Sequence, residues 1–305
     1  ISMDKPTVQD IFHRFYPKYL DKYTPSSQQA KVAHCIINCK TGAYGANVSI
    51  CEDCGQPEIH YNSCRNRCCP MCQALPKEKW MDKRREDVLD APYFHVVFTV
   101  PQELNPLIYS NQQVLYDALY HSVSATINEL TTDSRHLGAK VGYICVLHTW
   151  GSEMNYHPHI HVILLGGGLS SKNEWRDKGK DFFLPVKVLS KMFRSKYMDE
   201  LKALHKDNKL EFHGSSEKYR NHYTFKELLN TCYDKEWIPH CKKTFNGAQS
   251  VINYLGKYTH RIAISNHRII RMDEDTVTYY VKDYREEGKW KELTIPGVEF
   301  VRRFL

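Results

Sequence analysis

The stretch NYHPHIHVILLGGG, residues 155–168, places His157, His159 and His161 at alternate positions, followed by an apolar run and three glycines. Side chains two residues apart on a β-strand share a face. The alternation therefore predicts a strand that carries imidazoles on one side and buries Ile160 on the other. A lone buried histidine is usually structural, whereas a row of histidines on one face is typical of a binding site.

The imidazoles of His159 and His161 indicate a metal site. Two neutral imidazoles can hold a divalent cation, but two ligands bind weakly, so a third must come from elsewhere. Positions i and i+4 of a strand lie ~13 Å apart, which favours a group from a facing element over His157. An ion with few protein ligands also accepts phosphate oxygens, so we expect Mg²⁺ or Mn²⁺.

The cysteines indicate a second kind of metal site. Eight of the eleven lie between residues 35 and 72, which in a reducing compartment favours metal binding over disulfides. The knuckles Cys51-x-x-Cys54 and Cys69-x-x-Cys72 together supply the four thiolates of a tetrahedral Zn²⁺ site. The other interpretation, buried free thiols, does not explain the paired spacing.

A second zinc site could use the remaining cysteines of this region. Its best set is Cys39, Cys64 and Cys68 with one further ligand, for which the candidates are His34, Cys35 and His60. Arg65 and Arg67 flank the last knuckle and could grip DNA phosphates. For any single charge, a solvated surface is the simpler interpretation.

Residue patterns along the rest of the chain mix helices and strands without strict alternation, which favours an α+β fold. Predicted helices cover 6–22, 26–39, 76–89, 111–130, 187–205 and 247–261. Predicted strands cover 93–100, 141–150, 157–165 and 237–243, followed by a hairpin over 267–284. Residues 40–73 are too irregular for a long element. We predict an N-terminal helical, zinc-ribbon-like domain over 1–90 and a second domain over 91–305.

Two tyrosines, Tyr254 and Tyr258, lie four residues apart on the predicted helix 247–261 and can therefore face one site. A phenol is a poor nucleophile at its usual pKa of ~10, but a cation on the target phosphate lowers the barrier. Attack on a DNA phosphodiester would leave a free 3′-OH and a 5′-phosphotyrosine, and two tyrosines would permit two strand transfers. The simpler interpretation is a pair of buried aromatic residues.

Several motifs together resemble a known family. His159-Ile160-His161 looks like the HUH motif of rolling-circle nucleases. LHTWGSEMNYHPHIHVIL, YNSCRNRCCPMCQ and GAQSVINYLGKYTHRIAISNHRI, spread over roughly residues 35–270, resemble rolling-circle insertion-sequence transposases with two catalytic tyrosines and an N-terminal zinc-binding domain. The resemblance implies an HUH endonuclease domain, in which helices flank a central antiparallel sheet that bears the histidine pair.

The resemblance also suggests further site residues. Related HUH enzymes use Gln, Glu or Asp as the third metal ligand, so Gln249 is our first choice, with Glu153 and His148 as alternatives. Lys257 and Arg261 would hold DNA near the tyrosines. The family usually has His at the position of Cys68 and "GGH" where this chain has Gly45-Ala46-Asn47, which weakens the case for a second zinc site. Its pattern also continues past Leu305.

We therefore expect a metal-dependent DNA strand transferase that nicks and rejoins single-stranded DNA at transposon ends and targets. The net charge of +7 and the 20 Tyr, 12 Phe and 5 Trp residues permit such a partner without requiring it. No P-loop is evident, so a helicase would come from the host replication machinery. With no apolar run long enough to cross a bilayer, we expect a bacterial cytoplasmic, nucleoid-associated protein without a membrane partner.

Three other functions are compatible with the same motifs. A plasmid or phage replication initiator, or a relaxase, would share the chemistry, although the zinc-binding context argues against it. A zinc-ribbon regulator that binds nucleic acid without catalysis would keep its function with both tyrosines changed to Phe. A histidine-bound metal that hydrolyses DNA without a covalent step would leave no protein–DNA adduct.

Overall fold

The computed structural model describes residues 5–177, 184–237, 240–243, 250, 253, 256, 262–283 and 288–305. Helices and strands are interspersed along the chain without strict alternation. The helices are α1 (Val8–Leu20), α2 (Ser27–Ile37), α3 (Ala74–Arg85), α4 (Asn105–Ser110), α5 (Gln112–Thr132), α6 (Val186–Lys206), α7 (His222–Tyr233) and α8 (Gly297–Phe304). The strands are β1 (Ala46–Ile50), β2 (Pro57–Tyr61), β3 (Tyr93–Thr99), β4 (Lys140–Trp150), β5 (Tyr156–Leu169), β6 (Trp175–Asp177), β7 (His240–Lys243), β8 (Ile269–Met272), β9 (Thr276–Asp283) and β10 (Lys289–Pro296).

The central sheet has the strand order β4-β5-β3-β7, and β6 also pairs with β5. β5 runs antiparallel to β3 in a register that sets Ile160 opposite Phe98 and His161 opposite Val97. The first of these pairs lies on an apolar face, where the ring of Phe98 meets that of Phe193 on α6 at 5.0 Å between centroids. The opposite face carries the histidines. The alternation in the sequence thus leads to a two-faced sheet with helical cover on the apolar side.

A second sheet, β8-β9-β10, is antiparallel throughout. Its inward side chains share a core with α1, α2 and α8; the members at its centre are fully buried: Ile11, Phe12, Ile36, Val277, Tyr279 and Phe300. The apolar residues of α1 recur at helical spacing, which is why one face of this helix is buried. Capping boxes at Thr7/Asp10 and Ser26/Gln29 begin α1 and α2, satisfying backbone N–H groups that have no partner inside a helix.

The structure divides the chain differently from the predicted boundary at residue 90. One compact unit comprises residues 1–80, 150–156 and 259–305, and the other comprises residues 81–149 and 157–258. This division differs from the predicted domains 1–90 and 91–305, which stay a prediction. The physical reason is that β8, β9, β10 and α8 complete the core of the N-terminal helices, so the two chain ends belong to the same unit.

The α+β class and the central antiparallel sheet are confirmed. The elements not predicted from the sequence are the hairpin β1–β2 within residues 40–73, the helices α4 and α7, and the C-terminal β10 and α8. Most of the predicted helix 247–261 lies outside the described residues. No described helix combines the length and the apolar character needed to span a membrane.

The glycines that follow the histidines allow β4 and β5 to approach closely. A Cβ built on Gly168 would lie 2.3 Å from the backbone oxygen of Lys140 on β4. A backbone atom within a sheet cannot move aside without disturbing the ladder. Gly142, on β4 itself, has nothing within 4 Å of the corresponding position.

We expect Gly168→Ala to lower the free energy of unfolding by about 1–3 kcal/mol, because overpacking against a fixed backbone forces it to shift. Gly142→Ala, the matched control, should be neutral or stabilise the protein slightly, since it reduces the entropy of the unfolded chain. Urea unfolding followed by circular dichroism measures both. Equal unfolding midpoints for the two variants would contradict the close approach.

Candidate metal centres

Three buried histidines come together on the central sheet. His159 and His161 lie on β5 and His148 on the neighbouring β4, and they are between 7% and 9% exposed. One ring nitrogen from each lies within 4.8 Å of the others, and the Nε2 atoms of His159 and His161 are 3.0 Å apart. The ring of His148 lies 4.6 Å from that of His161 and 5.4 Å from that of His159, centroid to centroid.

Burial keeps the imidazoles of His159 and His161 neutral. Loss of solvation lowers the pKa of His159 to about 3 and also shifts the pKa of His161 far below its ordinary value. A neutral imidazole retains a lone pair on one nitrogen and can act as a metal ligand. The cluster therefore offers lone pairs rather than positive charges, which is the state that a cation site requires.

A backbone carbonyl orients His159. Its Nδ1 lies 2.7 Å from the carbonyl oxygen of His157. Because a carbonyl can only accept a hydrogen bond, Nδ1 carries the proton and donates it. The lone pair is then on Nε2, the atom that faces His161.

A fourth histidine, His95, belongs to this face and is not among the site residues predicted from the sequence. It lies on β3, is 8% exposed, and its Nε2 is 2.8 Å from Nδ1 of His161. The signal was present in YFHVVFTV, where His95 interrupts a run of apolar and aromatic residues, but one histidine on a strand gave no reason to single it out.

The third position beside the histidine pair is taken by His148, the second of the predicted alternatives. Glu153 is not a member of the described cluster; its backbone oxygen accepts hydrogen bonds from Tyr279 and Arg303. Gln249, the first choice, lies outside the described residues. Sequence spacing could not distinguish His148, on β4, from Glu153, which follows that strand, because the pairing of β4 with β5 places His148 beside the row.

Four cysteines form the second cluster: Cys39, Cys64, Cys69 and Cys72, with all sulfurs within 4.8 Å of one another. The sulfur of Cys72 is 3.4 Å from those of Cys39 and Cys64. Tetrahedral zinc with bonds of about 2.3 Å places its sulfurs about 3.8 Å apart, so the cluster has nearly the dimensions of a zinc site. Four thiol side chains with no competing oxygen ligand are also the donor set that Zn²⁺ prefers.

The cluster takes two cysteines from each of the predicted sets, so it differs from the predicted grouping of Cys51 and Cys54 with Cys69 and Cys72. Cys51 and Cys54 are exposed in the turn between β1 and β2. Cys39 precedes this hairpin and Cys64 follows it, at its base. Strands of five residues separate tip from base by about 17 Å, so the tip knuckle cannot share an ion with residues at the base.

The remaining residues of the predicted second zinc site stand apart from the cluster. His34 is exposed on α2, where its Nδ1 lies 3.2 Å from the side-chain nitrogen of Asn38. Cys68 is half-buried and lies outside the four-sulfur group. Among the described residues, one group of clustered cysteines thus combines members of both predicted sets.

Burial also affects the protonation of the cysteine cluster. It raises the pKa of the Cys64 thiol to about 12 and that of Cys69 above its ordinary value. Without a metal these two sulfurs hold their protons at neutral pH. Zinc binding would displace them, because the ligand is the thiolate.

The other predicted site residues fall into two groups. Arg65 and Arg67 are exposed in the loop between Cys64 and Cys69, where they can reach a partner. The remaining four lie outside the described residues: Tyr254, Tyr258, Lys257 and Arg261.

Two family models match the chain. A "Transposase zinc-binding domain" of the IS91 type matches residues 11–100, which include the four clustered cysteines. A family described as "Putative transposase" matches residues 142–305, more than half of the chain. This second match includes the three clustered histidines and both candidate tyrosines.

Two curated proteins are similar to this chain. "Putative transposase y4qJ" of Sinorhizobium fredii (strain NBRC 101917 / NGR234) is 38% identical over 302 residues, which cover 98% of this chain and 76% of that protein. "Transposase for insertion sequence element IS801" of Pseudomonas savastanoi pv. phaseolicola is 25% identical over 260 residues, which cover 84% of this chain and 61% of that protein. The chain therefore spans less than two thirds of the IS801 protein.

Among solved structures, the conjugative relaxase TrwC in complex with oriT DNA, in a metal-bound form, is similar at a TM-score of 0.30 and 17% identity. The alignment covers 37% of this chain and 44% of the relaxase.

The resemblance inferred from the motifs is confirmed by these matches. The zinc-binding model covers the cysteine cluster, and the transposase model covers the histidine cluster. The rhizobial relative aligns with nearly the whole chain. The chain belongs to the family of insertion-sequence transposases that join an IS91-type zinc-binding domain to a transposase catalytic region.

Proposed function

We propose that this chain is a rolling-circle transposase that nicks and rejoins single-stranded DNA at transposon ends through a 5′-phosphotyrosine intermediate. The observation that carries the proposal is the cluster of His148, His159 and His161 on one sheet face of a transposase-family chain. Three buried imidazoles, each with a ring nitrogen within 4.8 Å of the others, form a donor set that a divalent cation can bind.

The residues of this cluster fit a divalent cation. Bound there, such an ion would act as a Lewis acid that neutralises charge developing on the scissile phosphate. The three histidines leave coordination positions for phosphate oxygens and water. Imidazole nitrogen is a softer donor than the oxygens that Mg²⁺ prefers. Of the two expected ions, Mn²⁺ therefore suits this donor set better than Mg²⁺.

Tyr254 and Tyr258 are the proposed nucleophiles. The phenol of one tyrosine loses its proton, and its oxygen attacks the scissile phosphorus. The bond from phosphorus to the 3′ oxygen breaks, and that oxygen takes up a proton to leave as a free 3′-OH. One phosphoester bond replaces another, so a 3′-OH can later attack the phosphotyrosine and rejoin the strand. Lys257 and Arg261, on the same predicted helix, would hold neighbouring phosphates.

The zinc-binding domain has a structural role in this proposal. Zinc held by Cys39, Cys64, Cys69 and Cys72 ties the end of α2, the base of the hairpin β1–β2 and the turn before α3 together. The loop from Cys64 to Cys69 then presents Arg65 and Arg67 to DNA phosphates, which position a strand without reading its sequence.

The cellular setting follows from the chemistry. Single-stranded substrate requires a helicase or replication fork of the bacterial host, and a DNA substrate places the protein in the cytoplasm at the nucleoid. Replication initiation or relaxase activity is the second candidate, but the IS91-type zinc-binding domain favours transposition. Of the remaining two candidates, the regulator predicts no cleavage and the hydrolase predicts no adduct.

Replacing both Tyr254 and Tyr258 with Phe should abolish the covalent protein–DNA adduct, because no phenolate remains to attack. The assay incubates the protein with Mn²⁺ and 5′- or 3′-labelled single-stranded element-end DNA and resolves the products on a denaturing gel. The wild-type adduct should carry only the label 3′ of the nick. The two single variants identify which tyrosine acts first.

The other outcomes of that assay separate the candidates. Cleavage without an adduct would support metal-assisted hydrolysis. DNA binding without cleavage would support the regulator.

Changing His148 to Ala should weaken Mn²⁺ binding by more than about 100-fold, since loss of a direct ligand exceeds the 10- to 100-fold effect typical of residues that only support a ligand. The matched control is Glu153→Gln, which removes the charge of the alternative candidate and should bind Mn²⁺ as the wild type does. Electron paramagnetic resonance of free Mn²⁺ gives both affinities. If Glu153→Gln bound Mn²⁺ more weakly than His148→Ala, Glu153 and not His148 would be the third ligand.

Changing Cys64 to Ser should abolish tight binding of zinc, about one ion per chain in the wild type. A structural zinc site uses all four of its thiolates, and the loss of one lowers the affinity for the ion. Cys51→Ser, a matched change at the hairpin tip, should retain it. Zinc content after extensive dialysis is measured by mass spectrometry. If Cys51→Ser lost its zinc and Cys64→Ser kept it, the ligands would instead be those predicted from spacing: Cys51, Cys54, Cys69 and Cys72.

A further inference from the structure

The imidazoles of the candidate centre are oriented by two different devices. His159 is held by the backbone carbonyl of His157, which no side-chain substitution removes. His161 has a side-chain partner at the corresponding atom, Nε2 of His95, at 2.8 Å. Of these two hydrogen-bond partners, only the side chain of His95 can therefore be tested by substitution.

The strand register explains why His95 meets His161. Val97 on β3 is directly opposite His161 on β5, and His95 is two residues away on the same strand. Since side chains two apart share a face, both imidazoles lie on the histidine-bearing side. Their ring planes are 7° from parallel and their centroids are 5.1 Å apart, about the greatest separation that the 2.8 Å contact allows, so the hydrogen bond runs close to the planes of both rings.

The direction of this hydrogen bond decides whether His161 can bind a metal through Nε2. A neutral imidazole has one N–H and one lone pair. If Nδ1 of His161 accepted from His95, its proton would be on Nε2 and that atom could not be a ligand. If Nδ1 donates, Nε2 has the lone pair and points at Nε2 of His159, 3.0 Å away.

We propose that His95 is a positioning residue whose Nε2 accepts the Nδ1–H of His161 and so fixes the Nε2 atom of His161 as a metal ligand. The inference rests on the metal centre of the proposed function. Residues that orient a metal-bound histidine in this way commonly alter metal affinity by 10- to 100-fold.

The choice of a neutral imidazole for this role has an electrostatic consequence. A carboxylate partner would cancel part of the charge of the bound cation. Within the described cluster every group is a histidine, and His95 adds no negative charge. A divalent ion held by these residues would keep more of its charge for the phosphates of a DNA strand than it would beside a carboxylate.

The test compares three substitutions of His95 in protein that carries one zinc ion per chain, so that the cysteine cluster is filled and added Mn²⁺ binds at the histidines. In His95→Gln the side-chain oxygen reaches about as far as Nε2 and can still accept. Asn is too short, and Phe fills the space without an acceptor. Mn²⁺ affinity is measured by electron paramagnetic resonance, and electron spin echo modulation counts the coordinated imidazole nitrogens.

We expect His95→Phe and His95→Asn to weaken Mn²⁺ binding by about 10- to 100-fold and to lose one imidazole from the modulation. His95→Gln should remain within a few-fold of the wild type. His205→Phe, which removes a histidine that stacks on Phe225, is the control for losing a histidine elsewhere. If His95→Phe does not fold, the comparison of Gln with Asn still decides the question.

Two results would overturn the inference: wild-type affinity and modulation in His95→Asn or His95→Phe, or an equal loss in His95→Gln, which would show that the acceptor does not matter. Either result leaves the proposed function standing. Failure of the wild-type protein to bind Mn²⁺ at all would instead remove the metal centre and, with it, this role for His95.

Discussion

The antiparallel pairing of β5 with β3 is the constraint on which the candidate catalytic centre depends. It sets His161 opposite Val97 and Ile160 opposite Phe98, so the imidazoles and the apolar core lie on opposite faces. A slip of one residue would exchange the two faces completely, because the side-chain period of a strand is two. The burial of Phe98 against Phe193 therefore stabilises the register that brings the histidines together.

The same sheet supplies the environment that makes the histidines useful. Their burial depresses the pKa values of His159 and His161, so both offer lone pairs at neutral pH. Burying these two imidazoles without partners would be costly. Hydrogen bonds to the carbonyl of His157 and to His95 satisfy one nitrogen of each imidazole of the pair and leave the other directed into the cluster.

The cysteine cluster and the histidine cluster differ in their donor atoms, and each donor set suits a different kind of metal site. Four thiols close a tetrahedral site completely, which suits an ion that holds chain segments together. Three imidazoles leave positions open for substrate oxygens, which suits an ion that acts on a phosphate. In the unit that contains the cysteines, both ends of the chain contribute to one core, and the cluster ties the irregular segment from Cys39 to Cys72 to that core.

The sequence by itself determined the α+β class, the histidine strand, a cysteine-rich metal-binding region and the transposase family, because alternation, paired spacing and motif combinations are local properties of the chain. The tertiary structure decided which residues meet. The pairing of β4 with β5 places His148 beside the histidine pair, and the register of β3 places His95 there. The hairpin β1–β2 separates Cys51 and Cys54 from Cys69 and Cys72, which lie beside Cys39 and Cys64 instead. Residues 259–305 belong to the same compact unit as the N-terminal helices. Each of these contacts joins segments distant in sequence, and only the packing of strands and helices determines the distance between them.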